Sequence, residues 1–220
     1  VPIFDTGAQY ITRGAGRDPD AALYAELLTA GVIEPFTGHI DGAKPGSEQQ
    51  EHFICADGMS SVAAHLLGQN PTAAVAYERR AVALDAVDGR WLVRDTEGRS
   101  DAFDAVVVTV PTPQLLEIEG ASFVSLLQPQ MEAWQRVAKR YSMRYAAMVW
   151  WPHEAWAILE ALPWCSKYVK AGEKGNEGLV YLSIEPRKRG QADAAMPAML
   201  LHSSVPFGFA HAEVPLPAPA

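Results

Sequence analysis

Apolar positions fall into two rhythms along the chain. Leu23, Tyr24, Leu27 and Leu28 recur at helical spacing after Asp18-Pro19-Asp20, and Gly31 stands where a left-handed residue would end the helix. Residues 37–50 scatter Gly38, Gly42, Pro45 and Gly46 among polar side chains and read as a loop. Phe53 and Ile54 suggest a short strand. Asp57-Gly58-Met59-Ser60-Ser61 then leads into Val62, Leu66 and Leu67, a second helix with Ser60 as its N-cap. From residue 74 the period shortens to two. Residues 74–78 and 81–87 read as extended, Asp88-Gly89 as a hairpin turn, and Arg90–Asp95 as the returning strand. After a turn at Thr96-Glu97-Gly98, the run Phe103-Asp104-Ala105-Val106-Val107-Val108-Thr109-Val110 reads as a buried strand stopped by Pro111. Helical patterns follow near 113–117 and 123–139, the second carrying Pro129 at a first turn or a break. Strand patterns near 142–151, 166–170, 179–184 and 198–204 are spaced by turns, which predicts an antiparallel sheet. No internal repeat is visible. The coarse class is mixed α/β.

Composition narrows this picture. Hydrophobic residues make up 49% of 220 and charged residues 20%, enough apolar surface to exclude a disordered chain. No apolar run approaches the roughly 20 residues that a membrane-spanning helix needs. A formal net charge of -8 disfavours a nucleic-acid partner, because an acidic surface repels phosphates. The two cysteines, Cys55 and Cys165, are isolated, so the sequence carries neither a disulfide framework nor a zinc ladder, and no metal site is expected. Reduced thiols make the cytosol the default compartment. The chain opens at Val1 with no visible signal peptide, and Val214–Ala220 alternates proline with small residues, so both ends look cut.

Unaided motif chemistry is sparse. Gly14-Ala15-Gly16 lacks the third glycine of a dinucleotide fingerprint, since position 19 is proline. No GxSxG elbow, P-loop or kinase signature is present. The charged run Glu185-Pro186-Arg187-Lys188-Arg189-Gly190 reads as a solvated turn, as does Glu78-Arg79-Arg80. His202 shares a strand face with Leu200 and on its own reads as a core histidine. Trp164, after Pro163, reads as packing. Periodicity and spacing stop at a soluble mixed α/β domain.

Several segments taken together go further. Asp5-Thr6-Gly7-Ala8-Gln9-Tyr10-Ile11-Thr12 resembles the DLGAQYIT-type segment of the renalase family, flavoproteins of the amine-oxidase superfamily. Ordered matches follow at Phe53–Ser61, the hairpin from Val75 to Val93, Phe103–Pro111, Tyr141–Ala146, Leu182-Ser183-Ile184 ahead of Arg187-Lys188-Arg189, and His202–Gly208. The resemblance covers about residues 3 to 210. It implies an α/β (α+β) fold of the para-hydroxybenzoate-hydroxylase/amine-oxidase type, in which a Rossmann-like FAD domain is interleaved with an antiparallel-sheet substrate domain. Residues 1–12 and 50–118 would form part of the FAD-binding domain, 19–49 and 119–208 the substrate domain, and 209–220 an unstructured tail.

The resemblance also implies an FAD cofactor and site residues. Gly7, Ala8 and Gln9 would pass near the isoalloxazine, and Ala81, Val82, Val110 and Pro111 would serve the cofactor, Ala81 or Val82 offering backbone to the adenine. Tyr10 and His202 would face the substrate. The implied reaction is hydride transfer from 2- and 6-dihydro-NAD(P) isomers to flavin and on to O2, giving NAD(P)+ and H2O2. A flavin amine oxidase of the wider superfamily, or a non-catalytic truncated product acting by binding, are the alternatives. The strand–GxGxxG–helix and the C-terminal segment that close on FAD would lie outside residues 1 to 210, so the resemblance implies an incomplete FAD domain, a piece of a longer flavoenzyme whose activity belongs to the whole.

Overall fold

The computed structural model describes residues 2–14, 19–170, 178–191 and 196–212. In it the chain leaves one unit after Ala73 and rejoins it at Met143, while residues 74–142 form a second unit.

The first pass through unit 1 runs β1 (Ile11–Arg13), α1 (Ala21–Thr29), β2 (Glu34–Pro35), β3 (Ile40–Asp41), β4 (Glu51–Ile54) and α2 (Ser60–Gly68). Strand β4 pairs antiparallel with β1 through Ile11↔Phe53 and with β2 through Glu34↔Ile54. Gly31 has φ 67°, the left-handed turn expected after α1. The apolar face of α1 then meets the sheet, and Leu27, Ile33, Phe53 and Cys55 form one buried core. The loop expected over 37–50 contains β3 and a 3₁₀ turn at Ser47–Gln49. Two residues are too short a strand to leave a periodic trace. Ser60 is the first helical residue of α2, not its cap, and Met59 precedes it. The Met59 amide instead donates to Asp5 Oδ1 at 2.8 Å.

Unit 2 is a meander of β5 (Ala81–Val87), β6 (Arg90–Asp95) and β7 (Ser100–Phe103), followed by α3 (Thr112–Leu115), α4 (Ala121–Leu127) and α5 (Met131–Ala138). Asp88 and Gly89, with φ 51° and 78°, make the left-handed pair that a two-residue hairpin needs. Pro129 interrupts the long helical pattern with a 3₁₀ turn between α4 and α5. Leu84, Ile118 and Phe123 are buried together, with Trp91, Val93, Val106 and Val108 packed on them. Gly120 has φ 114° and its Cα faces the Leu84 carbonyl so closely that a Cβ would lie 2.0 Å from that oxygen, so only glycine fits.

Two expectations fail in unit 2. Residues 74–78 are not strand, and 105–110, read as a buried strand, pair with no other strand among the described residues. The β-branched run keeps its alternation without a ladder. Val106 and Val108 turn inward, while Val107 is 87% exposed and Val110 44%.

Back in unit 1 come β8 (Ala146–Trp150), α6 (Trp156–Leu159), β9 (Ser166–Tyr168), β10 (Leu179–Ile184), α7 (Glu185–Lys188), β11 (Ala198–Ser203) and α8 (Val205–Ala210). The expected antiparallel sheet is present in the order β3-β9-β10-β11-β8, with only β3–β9 parallel. Trp156, Leu159, Trp164 and Ile184 fill its core, so Trp164 packs as read. Residues 209 and 210, expected to open the tail, instead close α8, whose Ser204 cap accepts from the Phe207 amide. The rest of the tail from 213, and Ala15, Gly16 and Asp18, lie outside the described residues.

Candidate active site

Alternation on neighbouring strands gathers aromatic rings on one side of the five-stranded sheet. Tyr181 on β10 stands opposite Tyr168 on β9 and His202 on β11 in register. Their rings touch in series, Tyr168 on Tyr181 at 5.1 Å and Tyr181 on His202 at 5.8 Å between centroids. Tyr10, just ahead of β1, joins them through a 2.7 Å bond between its hydroxyl and that of Tyr168, and its ring meets the edge of His52. These residues line a cleft of about 680 Å³ that also takes in Gln9, Lys44 and Arg144.

The cleft has a definite electrostatic character. Lys44 and Arg144 are both exposed, and the described lining residues include no carboxylate. Burial pushes the Tyr10 hydroxyl well above its usual range, with the Tyr168 bond acting the same way, and burial does likewise for Tyr181. Both phenols stay protonated as hydrogen-bonding groups. Burial lowers the His202 pKa, partly offset by its bond to the Thr6 carbonyl, so the ring is neutral at pH 7.

The expected site residues divide by unit. Gln9, Tyr10 and His202 line this cleft, whereas Gly7 and Ala8 are exposed and do not line it. Ala81, Val82 and Val110 line a second cavity, about 360 Å³, inside unit 2. Pro111 does not line it and instead sits at the head of α3. Tyr168, Tyr181, Lys44 and Arg144 were not singled out by sequence. Their signal was faint: one tyrosine on each of two strands whose pairing was not yet known.

The largest correction concerns the run from Glu185. Read as a solvated turn, it is α7, and Glu185, Lys188 and Arg189 are 1%, 3% and 6% exposed. Their charges are balanced by Asp5 and by each other. Arg79, also read as solvated, pairs with the buried Asp95 at 2.8 Å. Cys55 and Cys165 are free thiols, both raised in pKa by burial, and among the described residues no cluster of His, Cys, Asp and Glu could hold a metal. No helix among them is long and apolar enough to cross a membrane.

Residues 37–176 match the family model for flavin containing amine oxidoreductases, and the chain belongs to that family of FAD oxidoreductases. It is similar to renalase from Mus musculus, 30% identical over 211 residues that make up 95% of this chain. It spans 58% of that relative's length. A solved structure from Exiguobacterium sp. 255-15, assigned as a protoporphyrinogen oxidase, aligns over 74% of this chain and 32% of its own at 14% identity and a TM-score of 0.48.

The residues present fit FAD in part. In unit 2 the second cavity is walled by Val82, Val106, Val108 and Val110, an apolar slot beside a backbone run without strand partners, which suits the faces and edge of a heteroaromatic ring. A pyrophosphate needs free amides at a helix start. At the start of α2 the amide of its cap residue Met59 goes to Asp5, and at the start of α4, which opens after Gly120, the Ser122 amide goes to Asp85. Those two amides are thus already engaged within the protein.

Proposed function

We propose that the complete protein is an FAD-dependent oxidase of dihydropyridine nucleotides, taking a hydride from 2- or 6-dihydro-NAD(P) and giving NAD(P)+ and H2O2. The observation that carries this reading is the charge of the cleft: an aromatic wall flanked by Lys44 and Arg144, with no carboxylate among its described lining residues. A nucleotide brings phosphates and an uncharged dihydropyridine ring, which suit cations and aromatic faces respectively. A protonated amine would want the opposite charge.

FAD, when bound, supplies the hydride acceptor and passes the electron pair to O2. Residues 1–12 and 50–118 would serve the cofactor and residues 19–49 and 119–208 the substrate. Within unit 1, Gln9 and Tyr10 would border the isoalloxazine, and within unit 2, Ala81, Val82 and Val110 would border the adenine. Tyr10, Tyr168 and Tyr181 offer ring faces that exclude water from the donor carbon. A dihydropyridine C–H already gives up hydride, so no strong base is required. The neutral His202 is suited to orienting the ring by a hydrogen bond. Lys44 and Arg144 would draw the phosphates.

Tyr10→Ala and His202→Ala in the complete enzyme are expected to slow single-turnover flavin bleaching by 6-dihydro-NAD at least about tenfold each, the range of a lost positioning contact. Wild-type bleaching rates in both variants would defeat the assignment. Faster bleaching by a primary amine than by either dihydronucleotide would transfer the protein to the amine oxidases.

A further inference from the structure

Four ionisable side chains are packed around α7 away from water. Lys188 Nζ lies 3.1 Å from Asp5 Oδ2 and 3.1 Å from Glu185 Oε2. Arg189 Nη1 lies 2.6 Å from Glu185 Oε2, and its Nη2 meets Asp5 Oδ2. All four side chains are at most 4% exposed. Ser183 Oγ donates to Glu185 Oε1 at 2.6 Å, and the Met59 amide closes the remaining Asp5 oxygen. Two cations and two carboxylates leave the cluster neutral.

A buried, balanced cluster of this kind gains little stability over apolar packing of the same volume, because the desolvation cost offsets the attraction. What it supplies is position. The position fixed here is that of residues 3–9. Arg189 Nη1 reaches the Ile3 carbonyl at 3.4 Å, and Lys188 Nζ reaches Gln9 Oε1 at 3.5 Å. The Gln9 amide folds back to donate to the carbonyls of Asp5 and Gly7. Thr6 is therefore held between fastened neighbours, although it is itself exposed. Its carbonyl accepts a 3.1 Å hydrogen bond from His202 Nε2. A carbonyl has no proton to give, so this bond requires the proton on Nε2. In the neutral ring Nδ1 is then a bare lone pair, with no partner among the described residues.

We infer that the Asp5–Glu185–Lys188–Arg189 cluster is a positioning device that selects the tautomer of His202, holding the Thr6 carbonyl on Nε2 so that Nδ1 meets the ligand as a hydrogen-bond acceptor. For its ligand the inference rests on the function proposed above. An acceptor at that place reads an N–H, and the carboxamide NH2 of a dihydronicotinamide carries one. The burial that keeps the ring uncharged works in the same direction. Lys188 and Arg189 are thus positioning residues that act through the 3–9 segment, with no contact to the ligand required of them.

The tautomer can be read without substrate, cofactor or turnover, which separates failure of this inference from failure of the functional reading. In the 15N-labelled full chain, the His202 imidazole signals are assigned by their loss in His202→Gln. Long-range 1H–15N correlation at pH 7 is expected to show Nε2 protonated and Nδ1 bare. Protonated Nδ1, or an even mixture, overturns the inference outright. Two variants then test the cluster: Asp5→Asn/Lys188→Met, which removes one charge of each sign, and Gln9→Ala, which cuts the brace and its contact to Lys188 Nζ while leaving all four charges of the cluster in place. Each is expected to reduce the Nε2 preference several-fold. A wild-type ratio in either folded variant overturns the role given to the cluster. Should the double variant fail to fold, Gln9→Ala alone decides.

Discussion

At the scale of single residues, His202 shows how tertiary context replaces a sequence reading. Alternation put it beside Leu200 on one strand face, and that face holds: Leu200 is fully buried and His202 half-buried. A core reading would end there. Instead His202 lies at the cleft margin, where burial lowers its pKa from the ordinary 6.5 and the Thr6 carbonyl resists the shift. Between that lowered value and 6.5 the unfolded chain binds a proton that the folded chain does not. Stability therefore rises with pH through the window and is lost as pH falls below 6.5. The urea midpoint of the wild-type protein is expected to drop further between about pH 7 and pH 5 than that of His202→Gln. Equal declines in the two proteins would remove His202 from the account. The run Glu185–Arg189 taught a different lesson. Its dense charge was legible, but its burial was not, because one of the two compensating carboxylates belongs to Asp5, 183 residues before Lys188. No local pattern encodes a partner at that distance.

At the scale of elements, strands with clean alternation were legible and pairings were not. The strands near 142–151, 166–170, 179–184 and 198–204 all appear as β8 to β11, because each has enough residues to show a period. β3, two residues long, left no trace. The hairpin at Asp88-Gly89 was legible because only a few residue types accept positive φ. The cleft was half legible. Tyr10 and His202 came from resemblance to a family, whereas Tyr168 and Tyr181 needed the register of β9, β10 and β11 to bring them beside His202. The run 105–110 is the instructive error. Its composition suits a buried strand, yet a strand also needs neighbours for its ladder, and composition says nothing of them. Val107→Lys tests what the run does here. At 87% exposure the change is expected to alter unfolding free energy by no more than about 0.5 kcal/mol and to lower self-association in sedimentation velocity. A loss above about 2 kcal/mol would show that the side chain is buried in solution.

At the scale of the whole molecule, the two units differ in how they depend on the chain. Unit 1 needs both of its segments: β3 pairs with β9, and Asp5 meets Lys188 and Arg189. Unit 2 is one continuous stretch, and its contacts close on themselves. β5, β6 and β7 pair in sequence, Asp85 caps the start of α4, the Glu119 backbone bonds to Val82 and Leu84, and the core of Leu84, Ile118 and Phe123 is drawn entirely from residues 74–142. Asp95, buried at the end of β6, accepts from Arg79, Arg99 and two backbone amides, a junction that also lies wholly within the unit. Local closure of this kind, with low sequence separation, favours independent folding. Its small core limits the stability to a few kcal/mol. Residues 74–142 expressed alone are therefore expected to give a cooperative thermal transition with a strand signature in far-UV circular dichroism. Because Asp95 sits at the closing junction, Asp95→Asn is expected to lower that transition. A featureless melt of the isolated segment would mean that unit 2 draws its order from residues outside it.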